Sequence, residues 1–508
     1  MANGLIGGTQ LAQLLGPWRT VERGSSSSSG PSGPSSTYGT SGTLHAALAE
    51  RIKGLILDGR VPVGARLPAE RGLADALALS RTTITAAYAQ LRDSGHATSR
   101  HGSGTYTALP DQATVHSSGL WRTDLDRLGE APDDTLDLLC AAPNTPLPQL
   151  REATIWAADH LSEFNGINGY SPYGLDALRQ AIADRYTERG APTTGDQILI
   201  TTGAMGAISL VARLLCRSGD RVLIETPTYP NAADTLRAGQ ARLLPVPVDG
   251  SGWQPGSVER ALTQSRPRLA YLIPHFQNPT GALMPAEQQR SIAAAAHKSG
   301  TWVLADETVL DTALDVPVPA PFSASVRPGD QDMVLSCGSL GKSFWGGLRI
   351  GWIRGSARVI HELAAMRAAT DLASPVLDQL IGIRVLRVGE SLLAERREQW
   401  REQRAALTAA LDAVLPSWTY RLPAGGLCLW LRMDREDSST LAQRVQSHGV
   451  WLHSGPRFGV DAGTFDRYLR LPYTLGAADL TEAVHRIALA RAVPGTRPAS
   501  THRADLVA

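Results

Sequence analysis

The sequence predicts two architectures in series: a small, mainly α module, then a large α/β unit with a mostly parallel sheet and a smaller α+β domain. Three observations predict this. Residues 41–107 carry short apolar stretches at helical spacing. From about residue 136 to 490, amphipathic helices alternate with short apolar strands, the pattern of a sheet covered by helices. The length of 508 residues suits three or four domains, or one small module joined to a large one. Composition sets limits on function. With 43% apolar and 19% charged residues, the chain can bury a sizeable core, which excludes a collagen-like or wholly disordered protein. A net charge of +1 excludes nucleic-acid binding through overall basicity, so any such contact must come from a local patch. No apolar run approaches the roughly 18 residues of a membrane span. Residues Met1 to Leu15 lack a basic start followed by an apolar block, so no secretory signal is expected. Cys140, Cys216, Cys337 and Cys428 lie far apart without a C-x-x-C pair. No metal site or disulfide framework is expected, a reducing cytoplasm is the default, and all four cysteines are expected to be buried hydrophobes.

In chain order, residues 1–40 hold the run Ser25 to Ser29 followed by Gly30, Pro31, Gly33 and Pro34, the composition of a flexible extension. Before that run, Thr9 to Arg19 suits one short helix ended near Gly16 and Pro17. Residues 41–108 read as a compact module. Leu44, Leu48, Ile52, Leu55 and Ile56 recur at helical spacing, and Gly59 stops that helix. Pro68 to Leu77 forms a short second helix. Leu79 and Ser80 turn the chain, with Ser80 placed as an N-cap. Arg81 to Ser94 forms a third helix with Ile84, Ala87, Tyr88 and Leu91 on one face, ended by Gly95. Residues 96–107 alternate weakly around Gly102 and Gly104, which predicts a hairpin.

Three helices, a tight turn and a hairpin describe a winged helix-turn-helix, whose third helix enters a major groove of double-stranded DNA. Its first turn carries Ser80, Arg81, Thr82 and Thr83. Arginine can fork to guanine, and hydroxyls reach phosphate or base edges. The wing holds Arg100 and His101. Over residues 41–107, eight basic against five acidic residues give a local net charge of +3. LPAERGLADALALSRTTITAAYAQLRDSG followed by SRHGSGTY resembles the GntR family of bacterial transcription factors. By that resemblance Arg71, Arg81, Thr82 and Gly102 face DNA.

Residues 109–135 read as a linker, and 136–490 as the large unit, with a flexible tail at 491–508. The expected strands are Ile198 to Thr201, Arg221 to Glu225, Leu269 to Ile273, Trp302 to Ala305 and Val334 to Ser336. Gly174 to Glu188 is the clearest helix. An Arg-rich helical stretch begins near Gly389, and strands at Gly426 to Leu431 and Tyr468 to Leu471 mark the smaller α+β domain. Several patterns converge on one cofactor site. Thr201 to Ala207 follows a strand and opens a helix, whose free N–H groups favour a phosphate. Lys342 lies just past a strand in Ser339-Leu-Gly-Lys342, where its amine can condense with an aldehyde. Ser339 and Arg349 are placed to hold the same phosphate. Asp306 ends a strand, where α/β ligands bind, and a carboxylate there keeps a pyridine nitrogen protonated. Asn278 follows another strand, with its amide available to a phenolic oxygen. Tyr229 can stack on an aromatic ring. Arg470, on a late strand, can clamp a carboxylate.

YSPYGLDALR, ITTGAMGA, ETPTYP, NPTG, ADE, GSLGK and LRIGW occur in the order in which fold type I pyridoxal phosphate enzymes of the aspartate aminotransferase superfamily carry them. The resemblance runs from about Leu136 to Ala490. It implies that Lys342 carries the cofactor and Asp306 pairs the pyridine. Asn278 contacts the phenolic oxygen and Tyr229 stacks. Ala204, Met205, Ser339 and Arg349 bind phosphate, and Arg470 binds a substrate or effector carboxylate. Tyr170 reaches the phosphate of a neighbouring subunit, which makes a homodimer functional. A GntR-like reader ahead of such a domain resembles the MocR/GabR regulators. This implies a cytoplasmic regulator that senses an amine, an amino acid or the cofactor itself; the alternative is a working aminotransferase. Two departures stand out. Thr308 and Val309 occupy positions where the family usually has a tyrosine, and Gly341 replaces the serine before the lysine.

Overall fold

A computed structural model of the chain describes residues 6–16, 43–100, 103–110, 134–144, 147–434 and 437–492. The expected contact at Gly102, most of the linker and most of the tail lie outside the described residues.

The small module contains α1 (Gly8–Leu15), α2 (Leu44–Leu57), α3 (Glu70–Leu77) and α4 (Arg81–Asp93), then a hairpin of β1 (Ala97–Arg100) and β2 (Gly104–Thr107). The turn between α3 and α4 is made by Ala78, which takes a left-handed conformation at the end of α3. Ser80 then caps α4 by accepting the Thr83 amide at 3.1 Å. Leu48, Ile52, Ile56, Leu73, Ile84, Tyr88 and Leu91 form one buried core. The run Ser25 to Pro34 lies outside the described residues, but the short helix expected before it is present as α1, and the expectation that it stands outside the module needs correction. Leu11, Leu14 and Leu15 of α1 are buried in that same core. Gly8 backs against the Gly72 carbonyl so closely that a β-carbon there would sit 2.6 Å from the oxygen. The module therefore starts before residue 41.

The large domain holds an eight-stranded sheet in the order β4-β11-β10-β9-β8-β5-β6-β7. Its strands are β4 (Ile198–Thr202), β5 (Arg221–Thr226), β6 (Arg242–Asp249), β7 (Gly252–Trp253), β8 (Leu269–Leu272), β9 (Trp302–Asp306), β10 (Val334–Ser339) and β11 (Ile350–Arg354). The five expected strands are present within a few residues of their predicted ends. The sequence missed β6, the two-residue β7 and β11. Pro245 and Pro247 disguise β6, which pairs with β5 on one side and is largely unpaired on the other, where strand prolines are tolerated. β11 is five residues long, contains Gly351 and runs antiparallel to both β10 and β4. Apolar clusters on both faces, such as Leu210, Val211 and Leu304 or Val258, Leu272 and Ile292, seat the covering helices.

The smaller domain is built on the long helix Gly389–Val414 and the helix Ala477–Ala492. An antiparallel sheet of β12 (Thr419–Tyr420), β13 (Cys428–Arg432) and β15 (Tyr468–Pro472) packs on them. β3 (Leu136–Leu138) also belongs here, paired in parallel with β14 (Val450–Leu452). Chain order alone does not reveal this, because the two strands are separated by the whole large domain.

Candidate functional site

β4, β5, β8, β9 and β10 point the same way, so their carboxyl ends share one edge of the sheet. At that edge the chain places Gly203, the Tyr229 loop, the Asn278 loop, Asp306 and Lys342. β11 runs the opposite way, so its start brings Arg349 to the same edge, where Ile350 pairs with Thr202. Ligands of open α/β sheets bind outside such ends.

Lys342 lies in the four-residue helical turn Leu340–Ser343, and its Nζ donates to the Ala141 carbonyl at 2.8 Å. Burial pushes its ammonium below the usual lysine range, which favours the nucleophilic neutral amine. Asp306 is buried at the end of β9. Burial raises its carboxyl, while the Tyr271 hydroxyl at 2.6 Å and the Thr308 amide at 3.0 Å oppose that rise. The Lys342 side chain adds to the same opposition.

A small cup forms where the helix Gly203–Leu215 begins. Gly203 has φ +69°, and a β-carbon there would stand 2.6 Å from Arg349 Nη2. Gly351 faces Gly203 across β4 and β11 so tightly that a β-carbon would overlap the backbone at Gly203 and Ala204. The Arg349 Nη2 donates to the Thr202 carbonyl at 3.1 Å. Ala204 and Met205 occupy the first helical turn, whose N–H groups lack helical acceptors. The Ser339 hydroxyl donates to the Ile350 carbonyl at 3.0 Å and accepts the Gly341 amide at 3.0 Å. Glycine at 341 therefore contributes its backbone where a serine would have added a hydroxyl.

Arg470 is buried on β15. Its Nη2 donates to the Leu139 carbonyl, and its guanidinium carbon lies 4.8 Å from the Phe458 ring centre. Its Nε is buried with no hydrogen-bond partner among the described residues, and so is Asn278 Oδ1. Leu139 and Ala141 thus bind the two cationic side chains, and between them Cys140 is exposed. That corrects the expectation of four buried cysteines; only Cys337 and Cys428 are buried, and Cys216 is half-buried. Tyr229 is half-buried, and burial pushes its phenol up to about 12. Tyr170 is 64% exposed and stands apart from this cluster.

Sequence reasoning missed the supports. The Glu225 carboxylate accepts Trp253 Nε1 at 3.0 Å, the Ile273 amide at 3.2 Å and Gln277 Nε2 at 3.2 Å. Gln277 Nε2 also donates to the Pro227 carbonyl at 2.7 Å, which ties the Tyr229 loop to the Asn278 loop. Tyr271 orients Asp306. The only signal for them was an acid and a tyrosine inside otherwise apolar strands.

On the small module, Arg71, Arg81, Thr82 and Arg100 are exposed and Thr83 is half-buried. The exposed Ser80 hydroxyl is within hydrogen-bond reach of the Thr82 and Thr83 hydroxyls, at 2.7 and 2.8 Å, besides capping α4. Arg100 lies 4.5 Å from the Tyr106 ring centre.

Residues 137–487 match the family "Aminotransferase class I and II". The chain belongs to that family. Residues 44–107 match "Bacterial regulatory proteins, gntR family", so this aminotransferase-family chain carries a GntR helix-turn-helix module at its N-terminal side. It is similar to the uncharacterized HTH-type transcriptional regulator YisV of Bacillus subtilis, 29% identical over 76% of this chain and 84% of the relative. It is 28% identical to the HTH-type transcriptional regulator TauR of Rhodobacter capsulatus, over 88% of this chain and 96% of that one. Among solved structures it resembles LysN, the alpha-aminoadipate aminotransferase of Thermus thermophilus, complexed with N-(5'-phosphopyridoxyl)-L-leucine. There the TM-score is 0.65 at 27% identity, covering 75% of this chain and 97% of LysN. The aminotransferase-family cleft and the cup of Gly203, Gly351 and Arg349 fit pyridoxal 5'-phosphate. The cup is shaped for a small anion, and the buried Asp306 suits a protonated ring nitrogen.

Proposed function

We propose that the protein is a pyridoxal 5'-phosphate-dependent transcriptional regulator that binds a DNA operator as a cytoplasmic homodimer and responds to an amine, an amino acid or the cofactor. One observation carries the reading: a single chain presents a GntR-type recognition helix and a cleft in which Lys342, Asp306 and the Arg349 cup converge. When bound, the cofactor supplies a reactive aldehyde and an electron-withdrawing ring. The protein's own groups do the rest. Lys342 offers a deprotonated amine. Asp306, held by Tyr271, accepts a hydrogen bond from the ring nitrogen. Asn278 donates to the phenolic oxygen and Tyr229 covers the ring. Ser339, Arg349 and the amides of Ala204 and Met205 hold the phosphate, joined by Tyr170 from a second copy. Arg470 takes the effector carboxylate. Arg71, Arg81, Thr82, Thr83 and Arg100 face DNA. Effector binding shifts DNA affinity only as far as the two states of the protein differ in affinity for it.

A working aminotransferase is the second reading, favoured by the intact Lys342 and Asp306 pair. Sustained formation of a new amino acid from a 2-oxo acid would select it, and a spectral change without turnover selects the sensor. The chain has three lysines, Lys53, Lys298 and Lys342, so reductive trapping is a clean test. Borohydride reduction with the cofactor should label the peptide holding Lys342, and Lys342→Ala should abolish the label. A label at Lys53 or Lys298 in the variant would move the site elsewhere.

A further inference from the structure

We propose that the stretch Ser454–Phe465 is a strap that carries the state of the cleft to the DNA-reading module; the proposal rests on the functional reading above. The first half of the stretch is bonded to the loop holding Tyr229. The Thr228 amide donates to the Phe458 carbonyl at 2.9 Å, and the Val460 amide donates to Thr226 Oγ1 at 3.4 Å. Arg237 Nη2 donates to the Val460 carbonyl at 2.5 Å. Arg457 pairs with Asp234 at 3.0 Å and reaches Asn231 Oδ1 at 3.4 Å. Asn231 in turn donates to the Tyr229 hydroxyl at 3.1 Å. The Phe458 ring also lies under Arg470.

The second half is bonded to the module. The Phe465 amide donates to the Leu57 carbonyl at 2.7 Å, one of the last carbonyls of α2, which have no partner within their own helix. The Asp461 carboxylate accepts the Val63 amide. Phe465 has φ +63°, and its ring packs on Gly59, whose φ is +65°. A β-carbon at Gly59 would overlap that ring. Arg432 lies 3.9 Å from Asp58 beside this contact. Trp430 ties the two halves together, edge-on to Phe458 at 5.6 Å and to Phe465 at 5.9 Å, and stacked on Tyr468 at 5.2 Å. A close-packed aromatic cluster with hydrogen bonds at both ends resists compression. Displacing Tyr229 or Arg470 therefore displaces Phe458, then Phe465, then the end of α2. Adjacency supplies this route, and coupling is what the experiment measures.

Hydrogen–deuterium exchange on the full chain, with and without pyridoxal 5'-phosphate, tests the strap. The cofactor should slow exchange in peptides covering residues 226–237, 455–466 and 57–65. Gly59→Ala, which forces the Phe465 ring away, should keep the cofactor absorbance and the protection of 226–237 while losing the protection of 57–65. Phe465→Leu should show the same loss, so the test survives if the alanine variant misfolds. If cofactor binds and protects 226–237 while 57–65 exchanges unchanged in the wild type, the strap is overturned and the functional reading stands. The strap is equally overturned if both variants transmit protection like the wild type. If the cofactor gives neither absorbance change nor protection anywhere, the functional reading fails with it.

Discussion

A carboxyl group without water must be neutral or hydrogen-bonded on every side, and Glu225 is surrounded accordingly. Burial pushes it up to about 8 despite three kinds of donor, and pushes Glu307 up to about 7 against bonds from the Phe322 amide and the Tyr186 hydroxyl. Both values lie above the roughly 4.3 of an unfolded glutamate. The folded state therefore holds these protons when the unfolded state has lost them. The resulting stabilisation is fully present below about pH 4.3 and is lost as pH rises through about 7 to 8. Melting temperatures across this range should show Glu225→Gln falling less steeply with pH than the wild type. Parallel curves would mean Glu225 ionises freely in the fold. At this scale the sequence exposed the groups gathered at the carboxyl edge of the sheet and hid those that face one another. Lys342 and Asp306 were legible because a charge directly after an apolar strand has little structural reason to be there. Glu225, Gln277 and Tyr271 were not, because their partners come from different strands.

Among the elements, the N-terminal helix departs most from expectation. Its leucines were readable, yet the following serine and glycine run suggested that it led nowhere. Its seat exists only because Gly8 has no β-carbon to hold its backbone off the Gly72 carbonyl, which depends on three-dimensional contact. Arg51 Nε fixes its end by donating to the Leu15 carbonyl at 3.2 Å. Leu15 is fully buried, so Leu15→Ala should destabilise the module by about 2–5 kcal/mol, as large-to-small core changes do. Denaturant unfolding followed by a probe in α4 would measure it. A loss under about 0.5 kcal/mol, the range of surface changes, would mean α1 is a passenger. The parallel strands were legible as apolar runs bounded by turns. β11 was not, although its reversed direction is what delivers Arg349 to the cup.

At the scale of the whole molecule, the order of modules was plain in the sequence, and their joinery was not. The small domain takes β3 from before the large domain and β14 and β15 from after it. Leu139 and Ala141, which bind Arg470 and Lys342, depend on that pairing for their position. A chain ending at residue 440 lacks β14, β15 and Arg470. Limited proteolysis should find its N-terminal module intact, because that core draws only on residues up to Ala97 and a few packed neighbours. Absorbance should find no cofactor taken up; a truncated chain that still develops the cofactor band would show that the cleft does not need its clasp.

The same joinery gives the protein a timetable. Synthesis proceeds from the N-terminus, and domains generally fold as units in that order. The first module can be finished while most of the polypeptide is still unmade. The cleft of the large unit cannot be completed until the ribosome has passed Pro472. Every newborn copy thus passes through an interval in which its helix-turn-helix module is folded and its cleft is not.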